Sequence, residues 1–139
     1  MTASIAVTPA EPKIQVLSHQ VPSPTSSLPP LSFQVTLLDR TCMVWAGIHD
    51  SGSTRLASNW TCAMPPFHSS LPASSTSLYH SSQADYGQSL APLLSKRFNR
   101  QIYLALDLGP ALAVEQSDLL LHLEKHLTAF LKKTVASMS

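Results

Sequence analysis

The segment from Leu31 to Ile48 constrains the fold more than any other part of this chain. Phe33, Val35 and Leu37 alternate with Ser32, Gln34 and Thr36, the period-two pattern of a strand with one apolar face. Asp39-Arg40 reads as a tight turn, and Thr41 to Ile48 is almost wholly apolar, as expected of a strand covered on both faces. A two-residue turn dictates the register. Leu38 faces Thr41, Leu37 faces Cys42, Thr36 faces Met43, Val35 faces Val44 and Gln34 faces Trp45. Opposed residues share a face. One side of the hairpin therefore displays Phe33, Val35, Leu37, Cys42, Val44 and Ala46, a dense core. The other displays Gln34, Thr36, Met43 and Trp45.

Around this hairpin, 139 residues with 44% hydrophobic content suit one domain with a single core. Residues 1–30 hold six of the eleven prolines among many Ser and Thr, the composition of a mostly disordered tail. Within it, residues 13–21 allow one edge strand, where nearby prolines do least harm. The ordered domain spans residues 31–135. A strand from Arg55 to Met64 carries Leu56, Trp60, Cys62 and Met64 and stops at Pro65-Pro66. Residues 65–82, rich in Ser and Pro, read as a flexible loop.

Leu90, Leu94 and Phe98, with Leu93 and Arg97, lie at helical spacing between Ala84 and Asn99, with Asp85 at the acidic front end. Pro92 requires that helix either to kink or to begin its regular part just before Pro92. Ile102 to Leu108 is an apolar strand ended by Gly109-Pro110. It sets Ile102, Leu104 and Leu106 toward the core and Tyr103, Ala105 and Asp107 opposite. A last helix runs from about Val114 to Val135. Leu120, Leu123, Leu127, Phe130 and Leu131 form its apolar stripe, and Lys132-Lys133 sit at its carboxyl end.

This order predicts an α+β fold: a single, mainly antiparallel sheet with two helices on one face. The second face mixes Met, Trp and Tyr with small polar groups, the composition of a protein interface. We expect a second subunit to dock there, through Gln34, Thr36, Met43, Trp45, Tyr103 and Ala105. An ordered loop or the amino-terminal tail is the plainer cover for the same residues.

Composition narrows the function classes. Nine Lys+Arg against eight Asp+Glu give a net charge of +1, so no basic field draws nucleic acid or an anionic membrane. Charged residues make up 12%, against roughly 25% in an ordinary domain, as a polar uncharged surface or a large buried partner face would produce. The two cysteines, Cys42 and Cys62, lack zinc spacing and read as buried thiols. The sequence shows neither a secretory signal nor an apolar run near the roughly 20 residues that span a bilayer. A cytoplasmic or nuclear location is expected, with the Asn59-Trp60-Thr61 sequon silent.

Chemistry-bearing motifs are weak. His122 and His126 are four apart on the last helix, a spacing at which two imidazoles can share a metal. Glu124 is misplaced for a metalloprotease, and no third ligand is near. His49-Asp50-Ser51 gathers the residue types of a nucleophile triad, but neighbours in a turn rarely converge as a triad must. The four glycines, Gly47, Gly52, Gly87 and Gly109, form no phosphate cradle. No catalytic residue, metal or cofactor is expected. Lys96, Arg97 and Arg100 are placed either to neutralise phosphate or meet an acidic protein patch, or simply to complement a helix end.

The Phe33–Leu38 strand, the Asp39 turn, Val44-Trp45-Ala46-Gly47 and Ser75-Thr76-Ser77-Leu78 occur in that order. They are followed by Ser89-Leu90-Ala91, Lys96-Arg97, Asn99-Arg100-Gln101 and Ile102-Tyr103-Leu104. In these features the chain resembles the proteasome assembly chaperone 4 family. The likeness runs from about Leu31 to Lys132 and departs from the family at Pro92, in the Pro65–Pro72 loop and in the extended tail. The resemblance implies a non-catalytic subunit that heterodimerises with a proteasome assembly chaperone 3-like paralogue. It further implies that the pair binds proteasome alpha subunits, promotes alpha-ring assembly and leaves as the core particle matures. Lys96, Arg97 and Arg100 then become candidate alpha-subunit contacts. A generic protein-interaction scaffold unrelated to the proteasome is the alternative reading.

Overall fold

The computed structural model describes residues 5–6, 9, 13–22, 30–48, 59–79, 87–107 and 116–136. His49-Asp50-Ser51, the Arg55 end of the predicted third strand, Asp85, Gly109-Pro110 and Val114 lie outside the described residues. The elements, in chain order, are β1 (Gln15–Val21), β2 (Leu31–Leu37), β3 (Thr41–Ile48), β4 (Trp60–Met64), β5 (Ser74–Tyr79), α1 (Gly87–Phe98), β6 (Gln101–Asp107) and α2 (Gln116–Ala136).

The β2–β3 hairpin has the register that its turn dictates. Leu37 pairs with Cys42, Thr36 with Met43, Val35 with Val44 and Gln34 with Trp45. At the turn itself, the Leu38 amide donates to the Thr41 carbonyl at 2.8 Å. The six strands form one sheet in the order β1-β2-β3-β6-β4-β5. All pairings are antiparallel except β3 with β6. The chain thus leaves the hairpin, builds β4, β5 and α1, and returns to lay β6 between β3 and β4. Such a parallel join requires a long crossover, and here β4, β5 and α1 make up that crossover.

Both helices pack on one side of this sheet. The core joins Leu31, Phe33, Val35, Leu37, Cys42, Val44 and Ala46 of the hairpin with Ile102, Leu104 and Leu106 of β6. Leu90, Ala91 and Leu94 of α1 and Leu119, Leu123, Leu127 and Leu131 of α2 complete it. The four α2 leucines are spaced by four and lie on one stripe, each stabilising the fold by about 1.5–3 kcal/mol on burial. Leu120 and Phe130, placed in that stripe from the sequence, are only partly buried. Their position matters at the sheet edge, where the His19 ring of β1 stacks on Phe130 at 5.1 Å and Phe130 on Phe33 at 6.3 Å. Together with half-buried Leu17 and buried Val21, this contact holds the edge strand.

Three expectations need correction, and one is made more specific. The predicted loop 65–82 contains a strand, β5, paired along β4. Among the described residues β3 is covered on one face only, since Met43 is exposed and Thr41 and Trp45 are half-buried. Cys42 is buried, but Cys62 is only half-buried, because β4 turns Thr61 and Ala63 inward and leaves Trp60, Cys62 and Met64 outward. Finally, α1 starts at Gly87 and runs through Pro92. The proline forgoes one amide donor, whose intrahelical acceptor would have been the carbonyl of Gln88, an exposed residue.

Candidate functional site

The face of the sheet away from the helices is organised as two rows of cross-strand neighbours. One row runs Gln34, Trp45, Ala105, Trp60, Tyr79 across β2, β3, β6, β4 and β5. The other runs Thr36, Met43, Tyr103, Cys62, Thr76 across the same strands. The structure therefore brings together all six residues assigned to this face from the sequence. It also adds Trp60, Cys62, Met64 and Tyr79, which were not assigned to it. The alternation of Trp60, Cys62 and Met64 with Thr61 and Ala63 is the signal that could have found them. The close-packed side holds the small Thr61 and Ala63, both fully buried.

Exposure differs along the rows. Met43 is 39% exposed and Met64 52%, and Gln34 is also open to solvent, while Thr36, Trp45 and Tyr103 are half-buried. Ala105 is 1% exposed. It lies between Trp45 and Trp60 in register, so it offers no surface of its own and is the small residue between two large ones.

Gly47 explains how Trp45 lies. A Cβ at Gly47 would stand 2.6 Å from Cζ2 of Trp45 and 2.9 Å from the Asp107 carbonyl oxygen. The indole thus lies down along its own strand over the bare Gly47 backbone, two residues on and on the same face. In that pose its Nε1–H is shielded from solvent and has no acceptor among the described residues. One row further, the Gln101 side-chain amide donates to the Tyr103 hydroxyl at 3.1 Å and to the Cys62 sulfur at 3.4 Å. This orients the phenol ring on the open face.

The three predicted cations form a separate patch behind the sheet. Lys96 and Arg97 are exposed in the last turn of α1, where cations complement the helix dipole. Asn99 follows with φ 51°, the left-handed cap that lets the chain turn back. The Arg100 amide then donates to the Ser95 carbonyl at 3.3 Å, a six-to-one cap bond. The Ser95 hydroxyl donates in turn to the Arg100 carbonyl at 2.6 Å. Arg100 itself is half-buried. Burial pushes the Cys42 thiol above its ordinary value, and the charge of Arg100 offsets part of that rise.

His122 and His126 do meet, with ring centroids 4.4 Å apart in an edge-to-face arrangement. Burial holds the His122 imidazole below its ordinary range, and the charges of His126 and Lys125 push the same way. Among the described residues no group of three or more His, Cys, Asp or Glu is placed to hold a metal ion. None of the described helices is long and apolar enough to cross a membrane. The arrangement that stands out chemically is an aromatic, sulfur-bearing sheet face suited to meeting another protein.

Comparison with known proteins gives a family and a fold relative. The family model for proteasome assembly chaperone 4 matches residues 30–108, more than half the chain. A solved structure of a chaperone complex for yeast 20S proteasome assembly is similar in fold. Its TM-score is 0.64 at 22% identity, covering 88% of this chain and 97% of the matched one. No curated protein matches the sequence.

Proposed function

The chain belongs to the proteasome assembly chaperone 4 family, and from that premise we propose that it works as one half of a heterodimer that holds proteasome alpha subunits. The role is non-catalytic. The observation that carries the reading is the pair of cross-strand rows centred on Trp45, Met43 and Tyr103, on a sheet whose other side is already filled by helices. A solvated sheet face is ordinary when it is polar. This one instead presents two tryptophans, two methionines and two tyrosines.

A proteasome assembly chaperone 3-like paralogue is the partner that fits this face. Its own sheet would cover Met43 and Met64, the exposed methionines of this face. The pair binds alpha subunits through the other side of the molecule, where Lys96, Arg97 and Arg100 lie, and promotes assembly of the alpha ring in the cytosol or nucleus. Weaker, more polar contacts suit a factor that must leave when the core particle matures.

Affinity capture of the tagged protein from its own cells, with mass spectrometry of what is retained, tests this. One small paralogue together with alpha subunits, without mature proteasome, supports the reading. Capture free of any proteasome subunit replaces it with a general interaction scaffold. At the interface itself, Trp45→Ala should weaken the heterodimer by about 2 kcal/mol or more, measured by titration of the purified paralogue. An unchanged affinity with an intact fold removes the open face from the interface.

A further inference from the structure

Between α1 and α2, on the side opposite the open sheet face, runs a groove of about 400 Å³ lined by Leu90, Leu93, Leu94, Lys96, Arg97, Glu124 and Thr128. It continues past Leu93 and Glu124 to Ser89 and Leu120. Ser89 and Leu120 mark one end and Arg97 and Thr128 the other, so the two helices run in the same direction. Leu93, in the middle, is 59% exposed. At the carboxyl end of α1 stand Lys96 and Arg97, which form no ion pair among the described residues, and exposed Lys132 lies one turn beyond Thr128 on α2. Glu124, beside Leu93, is the single acidic residue in the lining.

Resting on the reading that alpha subunits are the clients, we infer that this groove receives one amphipathic helix of an alpha subunit, lying antiparallel to α1 and α2. Three physical features select that occupant. The walls are helices, whose backbone groups are already bonded to one another, so the groove offers nothing to the backbone of an extended peptide. A helix satisfies its own backbone and presents apolar side chains at i, i+3 and i+4. The floor of Leu90, Leu93 and Leu94 matches such a stripe. The charge runs along the groove: cations at the carboxyl end of α1 match acidic residues in the first turn of the incoming helix, where helices commonly carry them. Glu124 then meets a basic or polar residue further along it. Antiparallel entry also sets the amino end of the guest dipole beside the carboxyl end of α1.

The experiment uses the full chain in complex with its paralogue and purified alpha subunits offered one at a time. A photocrosslinking amino acid at position 93 should capture a helical segment with an acidic first turn. Leu93→Glu and, separately, Arg97→Glu should weaken capture of that subunit on the order of tenfold or more. Pairing with the paralogue and the thermal midpoint should stay unchanged, since both side chains are exposed. Restoration of Arg97→Glu binding by a charge-reversed guest helix would establish the orientation. If the wild-type complex binds an alpha subunit and both variants bind equally well, the groove assignment is wrong. Crosslinks to an extended segment, or to a second copy of this chain, overturn it as well. If the wild-type complex binds no alpha subunit, the client class itself fails and the occupant named here fails with it.

Discussion

Gly47 and Trp45 show how one missing side chain shapes a sheet face. The Asp107 carbonyl beside Gly47 belongs to the central strand β6 and cannot retreat without disturbing the parallel join. Gly47→Ala should therefore lift the indole and cost about 1–3 kcal/mol, seen as a lower denaturation midpoint with a shifted tryptophan emission. The cysteines report on the two faces separately. Cys42 is buried with a thiol pushed up by desolvation, so it should react with a thiol reagent only on unfolding. Half-buried Cys62 lies between Tyr103 and Thr76 in the second row. It should label in the isolated chain and become protected when the paralogue is added; labelling that ignores the partner would take Cys62 out of the contact.

Among the elements, those whose periodicity is enforced by burial were legible before any coordinates. The β2–β3 register followed from one two-residue turn, and each of the hairpin pairs from Gln34–Trp45 to Leu37–Cys42 is present. The faces of β6 followed from alternation alone. β5 could not be seen this way, because Ser74, Ser75, Thr76, Ser77, Leu78 and Tyr79 include no buried residue and no apolar alternation marks them. It is a strand because β4 supplies a ladder, and that is tertiary information. The Trp60–Met64 part of the third strand is present as β4, but its facing was not legible, since its inward residues are smaller than its outward ones. The carboxyl cap of α1 offers a test at this scale. Asn99 at φ 51° tolerates the left-handed region better than most residues. Asn99→Gly should hold or raise stability, whereas Asn99→Val should cost about 1–2 kcal/mol, both read from chemical denaturation.

For the molecule as a whole, the topology gives two unlike sides. One sheet backed by two helices leaves an aromatic side and a grooved, partly cationic one, the arrangement that the proposed pairing with a paralogue and an alpha subunit calls for. His122 has a lowered pKa in the folded chain, so below about 6.5 the unfolded chain binds a proton that the folded chain resists. Its contribution to stability is complete above that pH and is lost as pH falls through the folded value. His122→Gln should flatten this part of the stability profile, measured as denaturation midpoints across the acid range; an identical slope would assign the loss to other groups.

The parallel join of β3 to β6 also sets a clock for the newborn chain. β3 ends at Ile48 and β6 begins at Gln101, so at ribosomal speed the neighbour of β3 emerges roughly 3–10 s later. For that interval the hairpin waits with one backbone edge bare and its apolar side uncovered by α2, while the β4–β5 pair has nothing to attach to. A member of the proteasome assembly chaperone 4 family thus passes through an unguarded stage of its own during synthesis.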